Sequence, residues 1–302
     1  MTTLLLVNPA AGGGRAARAV PGVLAAARTA WGDVELVTTT GPRDAMDLGR
    51  RAAHDGMARV IVVGGDGTVH EAVNGLLATG IETLPQLGVV PVGTGNDFAR
   101  ITGTQGLLPA EAVRCMAAGV DKLYDVGLAW GEYFVNSLGL GFTAAVAAQV
   151  PATRTLLRPL VYPAAIFRAT RAYSTIDVSL RGDTESYRGG IFCVEVGIGR
   201  SAGGGFLVNP GAFPDDGLLD VCLVRPLSIW TFCTRMPAVL RGKHAGLKQV
   251  QMMQTSALTV RASTPLLAHF DGESRPGPET IEITLLENRL PVLARRGETS
   301  GR

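Results

Sequence analysis

The chain predicts an α/β domain with a mostly parallel sheet, followed by a β-rich, largely antiparallel domain. Three observations carry this. Strand and helix patterns alternate up to about Asp125, strand-like runs dominate after it, and glycine-rich turns stand at the carboxyl ends of the early strands. Alternation of that kind means a parallel sheet covered on both faces, with ligands beyond the carboxyl ends of its strands.

The elements follow in order. "TTLLLV" is the first strand, then "NPAAGGG" and an alanine-rich helix to about Ala30. "VELVTTT" is the second strand, with a helix from about Arg43 to His54. "ARVIVV" (Ala58 to Val63) is a buried third strand, and Val69, Ala72, Val73, Leu76 and Leu77 recur at helical spacing behind it. "LGVVPV" (Leu87 to Val92) is the fourth strand, "GTGNDFAR" turns into another helix, and Pro109 to Ala118 gives one more. Beyond Asp125, "YFVNSLGL", "STIDVSL", "GGIFCVEVGI", "GLLDVCLV", "ALTVRAS", "LLAHF" and "TIEITLL" read as strands joined by Gly, Pro and Asp turns. Helical stretches interrupt them at Phe142 to Tyr173 and Ser228 to Arg241. The expected division is a nucleotide-binding domain over 1–125, a β-rich substrate domain over 126–292 and a frayed tail over 293–302.

"VVGGDGTVHEAVNGL" (Val62 to Leu76) is a strand, a glycine turn and a helix. Gly64, Gly65 and Gly67 would let the backbone take positive φ and let a ligand approach closely. The helix start offers free N–H groups and the positive dipole end, a ready anion site. A phosphate fits, but Asp66 is itself an anion there, and two negative groups imply a cation, most simply Mg²⁺. No P-loop element is present, and "GTGNDF" lacks the third glycine of a dinucleotide fingerprint.

Bulk properties narrow the class. In 302 residues, 28 basic against 26 acidic side chains give a net charge of +2, too small to argue for nucleic acid. Cys115, Cys193, Cys222 and Cys233 form no CxxC pair and read as reduced thiols, and the four histidines show no metal-ligand spacing. No basic n-region precedes the short N-terminal apolar run, and no run approaches transmembrane length. The expectation is a soluble, cytoplasmic chain. One stretch, "RTLLRPLVYPAAIFRATRAY" (Arg154 to Tyr173), has four arginines and no acidic residue. It suits peripheral docking on anionic lipid, or equally a helix with a solvated arginine face.

The motifs "NPAAGGG", "GGDGTVHEAVNGL" and "PVGTGNDFAR", followed by "YFVNSLGLGF", "GGGFLVNPGAFPDDGLLDV" and "HFDGES", resemble those of the soluble diacylglycerol kinase and sphingosine kinase superfamily in the same order. The resemblance covers most of the chain. It implies a phosphofructokinase-like nucleotide domain, a β-rich second domain, and ATP-dependent, Mg²⁺-assisted phosphorylation of a lipid hydroxyl. It assigns ATP contacts to Thr39, to Gly64, Gly65, Asp66, Gly67, Thr68, Val69 and His70, and to Thr94, with Asn96 and Asp97 at the nucleotide end of the cleft. It makes Glu273 the general base, with Asp271 beside it. "FPDDGLL" resembles a structural Mg²⁺ site formed by the Asp216 carboxylate and the carbonyls of Phe213 and Leu218, although an Asp- and Gly-rich β-turn explains that segment equally well. His70 stands where bacterial members usually carry Asn, and Ile198 where Asn commonly precedes the triple glycine.

The implied partners are ATP and a membrane lipid, with a homodimer left open. The first acceptor to expect is a diacylglycerol-like lipid, then a sphingoid base or other lipid alcohol. NAD kinase shares a GGDGT turn and is the nearest rival, and a non-catalytic lipid or nucleotide sensor is a rival of another class. Retention of Asp66, Asp97, Asp271 and Glu273 argues against the sensor.

Overall fold

The computed structural model describes residues 2–149, 169 and 175–297. The arginine-rich stretch 154–173 lies outside the described residues apart from Ala169. The chain forms two compact units. One comprises Met1–Val126, Pro214–Asp216 and Leu286–Arg302, and the other Gly127–Phe213 and Gly217–Leu285.

In the first unit, β1 (Thr3–Val7), β2 (Val34–Thr38), β3 (Arg59–Gly64) and β4 (Gln86–Pro91) form a parallel sheet in the order β2-β1-β3-β4. The helices α1 (Ala11–Trp31), α2 (Asp44–His54), α3 (Asp66–Leu77), α4 (Asp97–Ile101) and α5 (Pro109–Ala117) connect and cover it. β3 reads as an unbroken apolar run because both its faces are covered. Leu5, Val7, Ile61 and Val63 face Val23 and Ala27 of α1 and Val113 and Met116 of α5. Alternation sends Leu4, Leu6, Val60 and Val62, also buried, to the opposite face. Each such side chain contributes about 1.5–3 kcal/mol on burial.

The second unit is a sandwich of two antiparallel sheets. β8 (Ile176–Arg181), β9 (Ser186–Ile191), β13 (Ala257–Ala262) and the first half of β16 (Thr280–Ala294) form one. The other runs in the order β12-β11-β10-β7-β14-β15. Its strands are β7 (Ser137–Gly141), β10 (Cys193–Gly197), β11 (Leu219–Val224), β12 (Val250–Thr255), β14 (Leu267–Phe270) and β15 (Glu273–Pro276). Leu180, Val260 and Ile281 from the first sheet and Leu140, Val194, Val221 and Phe270 from the second share one core. α6 (Phe142–Gln149) and α7 (Ile229–Leu240) are the described helices of this unit.

Two runs that read as single strands are each cut in two. "GGIFCVEVGI" breaks at Phe192: β9 pairs with β8, whereas β10 pairs with β7 and β11. "YFVNSLGL" breaks at Val135 and Asn136, between β6 (Glu132–Phe134), which pairs with β5 (Val120–Ala129), and β7. At each break the chain leaves one sheet for the other. The last strand is longer than "TIEITLL" suggests. Beyond Leu286 it counts in the first unit, where Val292 lies parallel to Leu87 of β4. Leu293 and Ala294, expected as the start of a tail, are therefore buried strand residues.

Candidate active site

Three turns of the first unit converge at the carboxyl ends of β1, β3 and β4. Asn8, just past β1, donates its backbone N–H to Val63 O (3.0 Å) and its amide to Thr68 Oγ1 (2.9 Å). Gly12, Gly13 and Gly14 follow with φ of 60°, 73° and 85°, a left-handed run that only glycine sustains. A Cβ at Gly12 would land on the Val92 carbonyl, and the Arg15 guanidinium reaches Val92 O and Gly93 O at 3.0 Å each.

The glycines of "GGDGT" serve another purpose than the expected one. Gly64, Gly65 and Gly67 do not adopt positive φ. Gly64 and Gly65 provide space: a Cβ on Gly64 would come within 2.7 Å of Thr68 Cβ, and one on Gly65 within 3.1 Å of Gly93 Cα. A Cβ on Gly93 would in turn meet Gly65 Cα at 2.5 Å, so the two turns touch backbone to backbone. Gly93→Ala is therefore expected to cost about 1–3 kcal/mol by overpacking, and Gly65→Ala less, as read by urea unfolding. Equal stability of Gly93→Ala and wild type would refute the contact.

Asp66 opens α3, whose N-cap Gly65 supplies no side-chain cap. The amides of Thr68 and Val69 turn back to Gly65 O (3.0 and 3.1 Å), leaving the α3 start to receive an anion through its earlier amides and its dipole. One Asp66 carboxylate oxygen accepts the Phe98 N–H (3.2 Å) at the start of α4. Asn96 holds φ 54° and donates to Gly93 O (3.1 Å), and its Oδ1 is buried with no hydrogen-bond partner among the described residues. Asp97 is buried and pairs with Arg100 (3.4 Å). Val69 and His70 are core residues, His70 accepting from the Asn74 amide through its carbonyl. Thr94 is exposed and Thr39 half-buried. Asp44 engages the hydroxyl of the adjacent Thr40 and the amides of Thr40 and Gly41, bonds that lower its pKa. The first unit thus gathers Gly64–Thr68 with Thr94, Asn96 and Asp97, and it adds Asn8, Arg15 and Gly93, which sequence reasoning had not singled out as site residues.

Among the described residues no three His, Cys, Asp or Glu side chains gather as a metal cage. The Asp66 carboxylate would be a hard oxygen ligand for a divalent ion at this turn. Phe213, Asp216 and Leu218 lie in a half-buried stretch around Gly217 (φ 76°), and neighbouring Asp215 is paired with Lys122 at 3.2 Å.

In the second unit, Asp271 (φ 49°) and Gly272 (φ 96°) are the two central residues of the β14–β15 hairpin, both at the positive φ that a primed turn requires. The Asp271 carboxylate accepts three backbone N–H groups, from Val135 (3.2 Å), Asn136 (2.9 Å) and Ser137 (3.0 Å). It pins the hairpin to the β6–β7 corner, which leaves Glu273 as the exposed carboxylate. Register puts Glu273 opposite Phe270, and Ser274 opposite His269.

On the His269 face a cross-strand row runs Cys222, Glu195, Gly139, His269. A Cβ at Gly139 would collide with both Glu195 Oε1 and His269 Nε2, which hydrogen-bond at 3.0 Å above it. Burial works against charge on His269, but the Glu195 charge and hydrogen bond, with Asp271 adding, raise its pKa above the ordinary value. Burial, with the Glu195 charge adding, pushes the Cys222 thiol up to about 12. Cys193 is raised likewise, so both thiols stay neutral and inert. Cys222, Glu195 and His269 line a largely apolar cavity of about 200 Å³, walled by Phe142, Val146, Phe206, Phe232 and Met236. Glu195 and His269 escaped sequence reasoning, although a glutamate inside "FCVEVG" was the available signal.

The His269 shift has a testable sign. A folded-state pKa raised above 6.5 contributes stability that is full below that value and is lost as pH rises through the folded value. Thermal unfolding midpoints measured from pH 6 upward should therefore fall more steeply for wild type than for His269→Gln. Parallel curves would dismiss the linkage.

A profile described as "Diacylglycerol kinase catalytic domain" matches residues 2–129, and one described as "YegS C-terminal NAD kinase beta sandwich-like domain" matches residues 136–293. A Bacillus subtilis protein named Diacylglycerol kinase is 30% identical over 78% of this chain and 77% of its own length. A Chromohalobacter salexigens protein named "Probable lipid kinase YegS-like" is 38% identical over 76% of this chain and 74% of its own length. A solved structure from Bacillus anthracis str. Sterne matches at a TM-score of 0.80 with 26% identity, covering 97% of each chain.

Proposed function

The chain belongs to the family of lipid kinases that join a diacylglycerol kinase catalytic domain to a YegS-type C-terminal domain, and from that premise we propose that it phosphorylates the hydroxyl of a diacylglycerol-like lipid with ATP. The observation that carries this reading is the convergence of three glycine turns around one carboxylate, Asp66, at an uncapped helix start. That arrangement offers backbone amides and a dipole to phosphate, as phosphoryl transfer asks of its protein: positioning and electrostatic stabilisation. The phosphates rest on Gly64–Thr68, with Thr39, Thr94, Asn96 and Asp97 at the nucleotide end. Asp66 would hold Mg²⁺, which would supply charge neutralisation beside the phosphates. The Asp216 carboxylate and the carbonyls of Phe213 and Leu218 would hold a second, structural Mg²⁺.

Glu273 takes the proton of the acceptor hydroxyl. The hydroxyl oxygen forms its bond to the γ-phosphorus, the bond from that phosphorus to the β,γ-bridging oxygen breaks, and ADP leaves. Asp271 acts through position, since its carboxylate is spent on three amides that fix the turn carrying Glu273. The apolar cavity of the second unit favours an acceptor with a hydrocarbon part. Membrane contact through 154–173 belongs to the same reading. No described helix is long and apolar enough to cross a membrane.

NAD kinase is the second reading, because residues 136–293 match a domain described as NAD kinase beta sandwich-like. Transfer of labelled γ-phosphate from ATP to diacylglycerol, ceramide, sphingosine, undecaprenol and NAD, run in parallel, tests both. Label in diacylglycerol supports the proposal. Label in NAD alone overturns the lipid acceptor, and label in none favours a sensor.

A further inference from the structure

Arg15 spends its guanidinium on backbone carbonyls of two turns. Its Nη2 donates to Val92 O and Gly93 O at 3.0 Å each, and its Nε donates to Gly12 O at 3.1 Å. Gly12 belongs to the turn after β1, whereas Val92 lies past β4, 77 positions along the chain from Arg15. The two turns also touch where the guanidinium bridges them, since a Cβ at Gly12 would stand 2.1 Å from Val92 O. A planar fork can hold several carbonyls at once, which the single nitrogen of a lysine cannot.

The turn so held carries the nucleotide-side residues. Residues 92–96 belong to no helix or strand, so contacts rather than a ladder set their path. Gly93 O accepts the Asn96 amide (3.1 Å) as well as Arg15, which occupies both its lone pairs. Gly93 packs on Gly65 of the Asp66 turn, and Val92 N–H donates to Gly64 O at 3.0 Å. Asn96 stands at φ 54°, a conformation that a non-glycine residue keeps only where its surroundings impose it. The Gly93 carbonyl is thus shared between the Arg15 clamp and Asn96.

We propose that Arg15 is a positioning residue for nucleotide binding: it clamps the turn after β4 so that Gly93 and Asn96 are in place before ATP arrives. The assignment rests on the ATP-dependent kinase reading and adds to it a residue that acts through the backbone of the turn. Without the clamp the turn samples other arrangements, and the apparent affinity falls with the fraction that remains competent.

The test uses the full chain with MgATP and MgADP and needs no lipid. Calorimetric titration should show Arg15→Ala binding both nucleotides about tenfold more weakly, by the same factor, as a tenfold smaller competent fraction requires. Arg15→Lys should fall between the two. Millimolar ethylguanidinium should restore nucleotide binding to Arg15→Ala where ethylammonium does not, a rescue that a general loss of stability would not show. Without nucleotide, amide hydrogen exchange over 92–97 should quicken in Arg15→Ala while β3 keeps its wild-type rates. Binding by Arg15→Ala within about threefold of wild type overturns the proposal, as does the absence of rescue. A loss confined to MgATP also overturns it, because Arg15 would then be a phosphate contact. If Arg15→Ala does not fold, the titrations and exchange rates of Arg15→Lys decide. Wild type that binds neither nucleotide overturns this proposal and the kinase reading together. Wild type that binds both but labels no acceptor in the panel leaves the clamp standing.

Discussion

Asp66→Asn is expected to keep less than about a tenth of wild-type turnover while melting close to wild type. The structure explains why asparagine is the informative substitute. One Asp66 oxygen accepts the Phe98 N–H at the start of α4, and an asparagine Oδ1 can keep that bond. What it cannot keep is the negative charge beside the anion site at the start of α3. An ordinary surface substitution shifts stability by about 0.5 kcal/mol or less, so a folded but inactive variant assigns the loss to charge. Steady-state turnover together with a thermal melt checks this. Activity above a tenth would reduce Asp66 to a residue that ties two helix starts together.

Glu273→Gln is expected to lower kcat by about 10²–10⁴-fold with ATP affinity nearly unchanged. Glutamine preserves size and most hydrogen bonding but takes no proton. The side chain is exposed and opens β15, and the turn before it is fixed by the three amides on Asp271, so the substitution disturbs no packing. Measuring kcat and ATP binding separately decides the role. A loss smaller than tenfold, or a loss of ATP binding instead, removes Glu273 from proton transfer.

The parallel half of the fold was legible because each of its strands carries a local signature. Buried runs such as "VIVV" end in glycine turns, and the helices behind them repeat at helical spacing. The sandwich was legible only as a supply of strands. A chain that passes from one sheet to the other at Phe192 stays apolar throughout, because both sides of the corner are buried, so composition cannot mark the break. β12, with "VQMMQT", alternates too weakly to be noticed. At the candidate site, the Asp66 turn announced itself by its glycines, yet the reason for them, contact with Gly93, lies in tertiary space nearly thirty positions away. Glu195 is the instructive omission. One glutamate among valines looks like an interruption until the strands beside it bring His269 into register across Gly139.

The final strand bears on how the protein is made. β16 supplies a neighbour for β13 with its first half and for β4 with its last residues, and Arg289 bonds the carbonyls of Ile81 and Glu82. On the ribosome, the β4 edge therefore waits for its β16 partner until Val292 has emerged. An unpaired strand edge is a template for association with another chain. Nascent or prematurely terminated chains that stop before Thr280 should accordingly be the species that engage chaperones and aggregate, even though β1 to β4 and their helices have already been translated.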